Sequence, residues 1–196
     1  EMGSRPPALL PPSLAAIPRD RWPRHIAMIM DGNGRWAERR GLPRVKGHQE
    51  GAKTVRRVTE ECARLGIGQL TLYAFSHENW QRPKREVDAL MKLYRQYLAG
   101  ELKLMMEQRI RFRNIGRRDR IPEATLRQIE KTEAATAGNT GMTLCLAVNY
   151  GGRQEITDAA RRIAAEVAAG RLRAEDVDEA AVEGRLYTAG MTDPDL

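Results

Sequence analysis

The chain has 196 residues, 41% of them hydrophobic and 30% charged, which suits one globular domain with a sizeable core. Its 33 Lys and Arg outnumber 26 Asp and Glu, giving a net charge of +7 and a pI of about 9.8, a balance that favours nucleic acid, anionic lipid or phosphorylated small molecules as partners. Aromatic residues at 5% weaken a base-stacking role, two isolated cysteines (Cys62 and Cys145) make neither a zinc site nor a disulfide framework, and no apolar run approaches the roughly 18 residues that cross a bilayer.

Residues 1–20 carry Pro6, Pro7, Pro11, Pro12 and Pro18 and read as a loosely attached tail, with order expected from about Trp22. The tail has no secretory apolar region, which places the protein in the cytoplasm and leaves room for contact with a membrane surface. Ile26–Met30 is a continuous apolar run of strand length, expected to be buried on both faces as in a parallel sheet. It stops at the turn-forming cluster Asp31-Gly32-Asn33-Gly34, after which a short helix is expected. Gly51, Val55, Val58, Cys62 and Leu65 recur at helical spacing, so 48–65 is an amphipathic helix stopped by Gly66.

Leu70–Phe75 is a second buried strand ending in the polar segment 76–83, and Val87, Leu90, Met91, Tyr94, Leu98, Leu102 and Met105 mark a long helix. A short strand at 110–115 precedes a helix opened by Pro122 and running to about Thr136. Met142–Val148 is a third strong strand. Ile156, Ala159, Ala160, Ile163 and Val167 are expected to form the buried stripe of the next helix, and 178–187 also reads as helical. This alternation predicts an α/β fold with a mainly parallel central sheet flanked by helices. In such sheets ligands bind at the carboxyl ends of the strands, where 31–36, 76–82 and 149–153 fall.

In Asp31-Gly32-Asn33-Gly34-Arg35-Trp36 two glycines let the backbone approach a ligand, the following helix offers free N–H groups, and Arg35 adds a fork matched to phosphate oxygens. Asp31 conflicts with a phosphate cradle unless a divalent cation lies between them, which is a reason to expect Mg²⁺ and a diphosphate together. A solvated turn capped by Asp31 is the competing reading. No Gly-x-x-x-x-Gly-Lys-Ser/Thr sequence is present, which disfavours a P-loop nucleotidase. Ser76-His77-Glu78-Asn79-Trp80-Gln81-Arg82 places hydroxyl, carboxylate, amide and guanidinium groups within seven residues. Each of these has an ordinary structural role as its alternative, and His77 and Glu78 read equally well as solvated loop residues.

At this point the chain resembles the cis-prenyltransferases, specifically the bacterial undecaprenyl diphosphate synthases. The resemblance is carried by His25 through Ala37, Gly47-His48 with Gly51, Leu72 through Pro83, Thr136-Ala137-Gly138-Asn139-Thr140-Gly141 and Asn149-Tyr150-Gly151-Gly152-Arg153, in order from about residue 22 to 196. It implies that residues 21–196 form the catalytic domain. Asp31 would hold Mg²⁺ and assist departure of diphosphate. Gly32, Asn33, Gly34 and Arg35 would cradle the allylic diphosphate, with Trp36, Arg44 and His48 beside them. Asn79 would occupy the position tied to proton removal, and Ser76, His77, Glu78, Trp80 and Arg82 would help to place substrates, with Glu86 in the same network.

The resemblance also implies farnesyl diphosphate and isopentenyl diphosphate as substrates, no nucleic acid, peripheral membrane contact through a lipid product, and a homodimer for the full-length protein. An apolar tunnel is expected between the helix around Leu90–Met106 and the second strand, with Met142 near its far end. The small Ala74 leans toward a long product. The family continues after its Pro-Asp-Leu segment with an Arg-rich stretch that binds isopentenyl diphosphate; this chain stops at Leu196, so the piece is expected to be poorly active. A non-catalytic partner subunit and a basic RNA-binding module are the alternatives. Retention of Asp31, Asn33, Arg35 and Asn79 argues against the first, and the low aromatic content against the second.

Overall fold

The structure is a computed structural model and describes residue 10 and residues 12–196; residues 1–9 and 11 of the proline-rich segment lie outside it. In chain order the elements are α1 (Pro12–Ala15), β1 (His25–Ile29), α2 (Asn33–Glu38), α3 (Arg44–Leu65), β2 (Gln69–Ser76), α4 (Lys84–Glu107), β3 (Arg111–Ile115), α5 (Glu123–Thr136), β4 (Thr143–Tyr150), α6 (Gly152–Ala168) and α7 (Glu179–Glu183). The four strands pair in the order β1-β2-β4-β3, every pair parallel. Parallel neighbours require crossover connections, and the helices supply them.

The period of two along β4 divides the core. Leu144, Leu146 and Val148 join the large cluster with Leu70 and Leu72 of β2, Leu98 and Met105 of α4, and Ile129 of α5. Cys145 and Ala147 face the other way, under Tyr73, Tyr150, Tyr187 and Met191. Fully burying one such leucine contributes about 1.5–3 kcal/mol, so the larger cluster dominates stability. Near its carboxyl end β2 shifts register against β4: Tyr73 pairs with Ala147 and Phe75 with Val148, leaving Ala74 as the extra residue. Such a bulge re-aims side chains where the strand reaches the site.

Two expectations need correction. Among the described residues β1 pairs with a strand on one side alone and is not buried along its whole length; Ile26 and Met28 pack on the core while Ile29 is 81% exposed. Its outer edge is partly covered, because Ala27 N–H donates to the Leu196 carbonyl at 2.8 Å and Asp195 Oδ2 accepts from the Arg24 and His25 N–H groups. The buried side of α6 is the Glu155–Ala159 row; Ile156 and Ala160 are exposed. Glu155 draws that face inward by accepting from Tyr150 Oη at 2.6 Å and from Tyr187 N–H at 2.7 Å. The helix expected at 178–187 is confined to Glu179–Glu183, opened by Asp178 accepting from Ala181 N–H.

The short helix α2 is set against α3 by a backbone approach that only glycine permits. A Cβ on Gly47 would lie 1.8 Å from the Asn33 carbonyl oxygen, and one on Gly51 would meet the Asn33 side-chain amide at 2.6 Å. Glycine inside a helix costs roughly 1 kcal/mol relative to alanine, so this seam outweighs a propensity penalty twice over. Gly100, inside α4, has nothing within 4 Å of its would-be Cβ. Gly100→Ala is therefore expected to raise the melting temperature by about 2–4 °C, and Gly47→Ala to lower it by several degrees despite the same propensity gain, as thermal unfolding followed by circular dichroism will measure.

Candidate active site

A cavity of about 340 Å³ opens at the carboxyl ends of β1, β2 and β4. Its mouth is polar, formed by the turn Asp31–Arg35 with Arg44, His48, Ser76, Asn79 and Arg82. Its depth is apolar, formed by Val55 of α3, Leu90, Met91, Leu93, Tyr94 and Tyr97 of α4, and Leu146 and Val148 of β4. Ligand pockets span roughly 300–1,000 Å³, so this one lies at the small end of that range.

The turn after β1 begins with Gly32 at φ 87°, in the left-handed region that favours glycine, and α2 starts at Asn33. The first-turn amides of α2 have no intrahelical acceptors. Asp31 accepts from the Gly32 N–H at 2.5 Å and from Arg35 Nη2 at 2.7 Å. The Gly32 N–H and then Arg35 hold its carboxyl below the usual range, so it is ionised at neutral pH. Both side chains are largely exposed, 76% and 63%. An exposed pair of this kind contributes little to stability and exchanges readily with ligands.

Behind the turn, Glu86 of α4 gathers three cationic or ionisable groups. Arg82 Nη1 lies 2.9 Å from it, Arg44 Nε 3.4 Å and His48 Nε2 3.4 Å. Burial pushes the Glu86 carboxyl up, but Arg44, Arg82 and His48 together outweigh it and hold the carboxyl below its ordinary value. Burial lowers the His48 pKa, so the ring is neutral at pH 7. Its Nε2 is buried and has no well-formed hydrogen bond among the described residues, the 3.4 Å approach to Glu86 being long and weak. A buried nitrogen so weakly engaged at the mouth is a ready contact for a ligand group. Arg44 also donates to Glu38 at 2.8 Å, and its guanidinium occupies the space a Cβ on Gly34 would need.

After β2, Asn79 folds its amide back so that Oδ1 accepts from the Ser76 N–H at 3.1 Å. Asn79 is thereby fixed, and its free end is the NH₂ donor. Of the remaining residues named from the sequence, Trp36, His77, Glu78 and Trp80 do not line the cavity. Trp36 is exposed with Arg40 stacked over its ring at 4.2 Å. Glu78 is exposed, its carboxyl held down by its own N–H and by the Ser76 hydroxyl. His77 Cβ lies 3.4 Å from where a Cβ on Gly151 would stand. Trp80 stands edge-on to Phe75 at 4.9 Å and donates to Asn149 Oδ1 at 2.7 Å, so it braces the wall from behind. Met142 is core rather than lining.

Tyr73, Tyr97 and Tyr150 also line the cavity; the sequence singles out none of them, but Tyr73 and Tyr97 lie in the strand and helix expected to wall the tunnel and Tyr150 in the segment 149–153. For Tyr97 the signal is the helical row Leu90–Leu93–Tyr94–Tyr97; for Tyr73 and Tyr150 it is their place at the carboxyl ends of neighbouring strands.

Among the described residues no group of three or more His, Cys, Asp or Glu could hold a metal ion. Asp31 is the acidic residue of the cavity lining. A lone exposed carboxylate beside phosphate donors fits Mg²⁺, which keeps several waters and shares ligands with substrate phosphates, and does not fit a metal caged by protein.

Residues 29–196 match the undecaprenyl diphosphate synthase family model. The chain is 54% identical over 177 residues to the isoprenyl transferase of Geobacter sulfurreducens, covering 90% of this chain and 72% of that protein. It is 51% identical over 174 residues to the isoprenyl transferase of Bacillus subtilis, covering 89% and 67%. Among solved structures, lavandulyl diphosphate synthase from Lavandula x intermedia, in complex with dimethylallyl diphosphate, superposes with a TM-score of 0.86 at 41% identity, covering 88% of this chain and 75% of that one. With the polar mouth and apolar depth in place and likeness of this extent along the chain, the protein belongs to the undecaprenyl diphosphate synthase family and is a cis-prenyltransferase.

Proposed function

We propose that the full-length protein condenses isopentenyl diphosphate onto an allylic diphosphate, farnesyl diphosphate, with cis geometry, to give a long polyprenyl diphosphate of the undecaprenyl type that serves as a cell-wall lipid carrier precursor, and that this chain supplies the allylic-diphosphate mouth and the prenyl cavity. The observation that carries this reading is the junction of a cationic, glycine-lined mouth with an apolar cavity in one continuous space. The Lavandula relative holds an allylic diphosphate, the chemistry this mouth offers.

On this reading the α2 amides, Arg35 and Arg44 take the allylic diphosphate, and the His48 nitrogen and the Asn79 NH₂ donate or align at its edge. The Arg35–Asp31 pair is exposed and weak, so Arg35 is able to turn toward a diphosphate. Asp31 would hold Mg²⁺, which when bound would supply charge neutralisation for the leaving diphosphate. Fixed donors stabilise the negative charge that develops as the allylic C–O bond breaks. The alkene of isopentenyl diphosphate attacks that carbon as the bond to the departing diphosphate breaks, and the proton lost in forming the new double bond passes to the released diphosphate. Asn79, with its oxygen already engaged, acts as an orienting donor rather than as the base. The apolar walls shelter the prenyl chain, at about 0.8 kcal/mol per buried CH₂. A homodimer and peripheral contact with a membrane through the lipid product complete the proposal.

Titration calorimetry of farnesyl diphosphate is expected to show saturable binding strengthened by Mg²⁺. Asp31→Ala should abolish the Mg²⁺ enhancement, and Arg35→Gln should weaken binding about tenfold or more with or without the ion. Incorporation of labelled isopentenyl diphosphate by the full-length protein should fall by about 10²–10³-fold in Asp31→Ala; equal rates in parent and variant would overturn the role given to Asp31.

Glu86 is a positioning residue in this scheme. Folding holds its pKa below the unfolded value of roughly 4.3, so its stabilisation is complete above that pH and is lost as pH falls through the lower folded value. Glu86→Gln is expected to cost about 1–2 kcal/mol at pH 7, or roughly 2–8 °C in melting temperature. Melting curves taken down the pH scale should show the gap to the parent closing below about pH 4.

A further inference from the structure

The amino ends of the strands, on the opposite side of the sheet from the active site, border a second cavity of about 610 Å³. Four arginines line it: Arg19 and Arg24 from the segment before β1, and Arg111 and Arg113 from β3. No Asp or Glu is among its lining residues. Several arginines elsewhere are paired, as are Arg56 with Glu60 and Glu101, Arg117 with Asp158 and Arg185 with Glu166. Among the described residues the guanidinium groups of Arg24, Arg111 and Arg113 form no ion pair. Asp195, close to Arg24, is engaged by the Arg24 and His25 backbone N–H groups.

The arrangement is partly preformed. Arg19 donates to the Leu65 carbonyl at 2.9 Å and lies 3.9 Å over the Trp22 ring, which fixes its guanidinium. Arg111 and Arg113 are two apart on one strand and therefore share a face of the sheet. Arg111 is in register with Thr143, whose hydroxyl adds a neutral donor to the lining. Like charges gathered around one concavity repel each other, and an anion between them reverses the sign of that interaction. β1 and β3 are the outer strands, three spacings or roughly 14 Å apart, so the cations reach in from both rims. A single phosphate group is too small to meet both sets, whereas linked phosphates can bridge them, and planar guanidinium forks suit their oxygens.

We infer that this cavity is a second binding site, for a multivalent phosphate anion, separate from the diphosphate-binding mouth and independent of the function proposed for it. A free oligophosphate and the headgroup of an acidic phospholipid share this chemistry. Calorimetric titration with tripolyphosphate at low ionic strength tests it. The parent chain should bind two equivalents, Arg35→Gln should weaken one site, and Arg111→Gln/Arg113→Gln should weaken the other at least tenfold while sparing the first. Arg24→Gln, at an exposed side chain, provides a second variant should the double substitution disturb folding, and should weaken the same site.

In a parallel arm, sedimentation with phosphatidylcholine vesicles containing phosphatidic acid reads the lipid source. Vesicle binding lost in the β3 variant, without a second tripolyphosphate equivalent in the parent, assigns the site to a headgroup; a second equivalent without vesicle binding assigns it to the free anion. Tripolyphosphate binding that is unchanged in both the β3 and Arg24 variants, whatever its stoichiometry, together with no variant-sensitive vesicle binding, would overturn the inference; absence of the Arg35-sensitive equivalent alone tells against the function proposed for the mouth and not against this site.

Discussion

The contact on which the site depends is a backbone approach, the carbonyl of Asn33 lying over Gly47 of α3. With no side chain at that position, α2 lies close against α3, and the turn that precedes it is carried to the mouth of the cavity. Gly51, one helical turn further on, gives the Asn33 amide its place, and Arg44 fills the space that a side chain at Gly34 would take. Three glycines far apart in chemical role thus serve one geometric end. The position of Asp31 and Arg35 is inherited from this seam rather than from contacts of their own, which are solvent-exposed and weak.

The charges at the mouth fall into two classes with different energetics. Around Glu86 the groups are half-buried and mutually engaged, so removing one partner leaves the others uncompensated, and this cluster is a fixed scaffold. Asp31 and Arg35 sit in water and are held by one short-range pairing, so they are free to change partners. A site that must hold position while admitting and releasing a highly charged diphosphate gains from both, since rigidity behind the ligand does not slow exchange in front of it.

Much of this was legible in the sequence. The apolar runs at 26–30, 70–75 and 142–148 became strands, and the turn residues at their carboxyl ends fell where an α/β sheet binds ligands. What local pattern could not reveal was context. The run at 26–30 looks the same whether its strand is central or at an edge, because strand order is set by pairing over long separations. The stripe of α6 was misread because apolar Ile156 suggested the inward face, while Glu155, a residue rarely buried alone, is drawn in by Tyr150 and the Tyr187 N–H. Trp80 likewise reads as a site residue from its motif, yet its indole N–H is spent on Asn149, which in turn donates to the Arg117 and Asp119 carbonyls. Hydrogen bonds spanning 69 and about 30 residues leave no trace in a local window.

The apolar depth of the cavity has walls of two mechanical kinds. β2 and β4 on one side are tied to each other by a ladder of backbone hydrogen bonds, whereas α3 and α4 on the other meet the sheet through side-chain packing. Any lengthening guest therefore meets one stiff wall and one compliant wall. Making room means sliding or re-rotating side chains such as Leu90, Tyr94 and Tyr97 along a helix whose internal bonds stay whole, so widening the chamber costs contact energy that can be regained once the chain leaves.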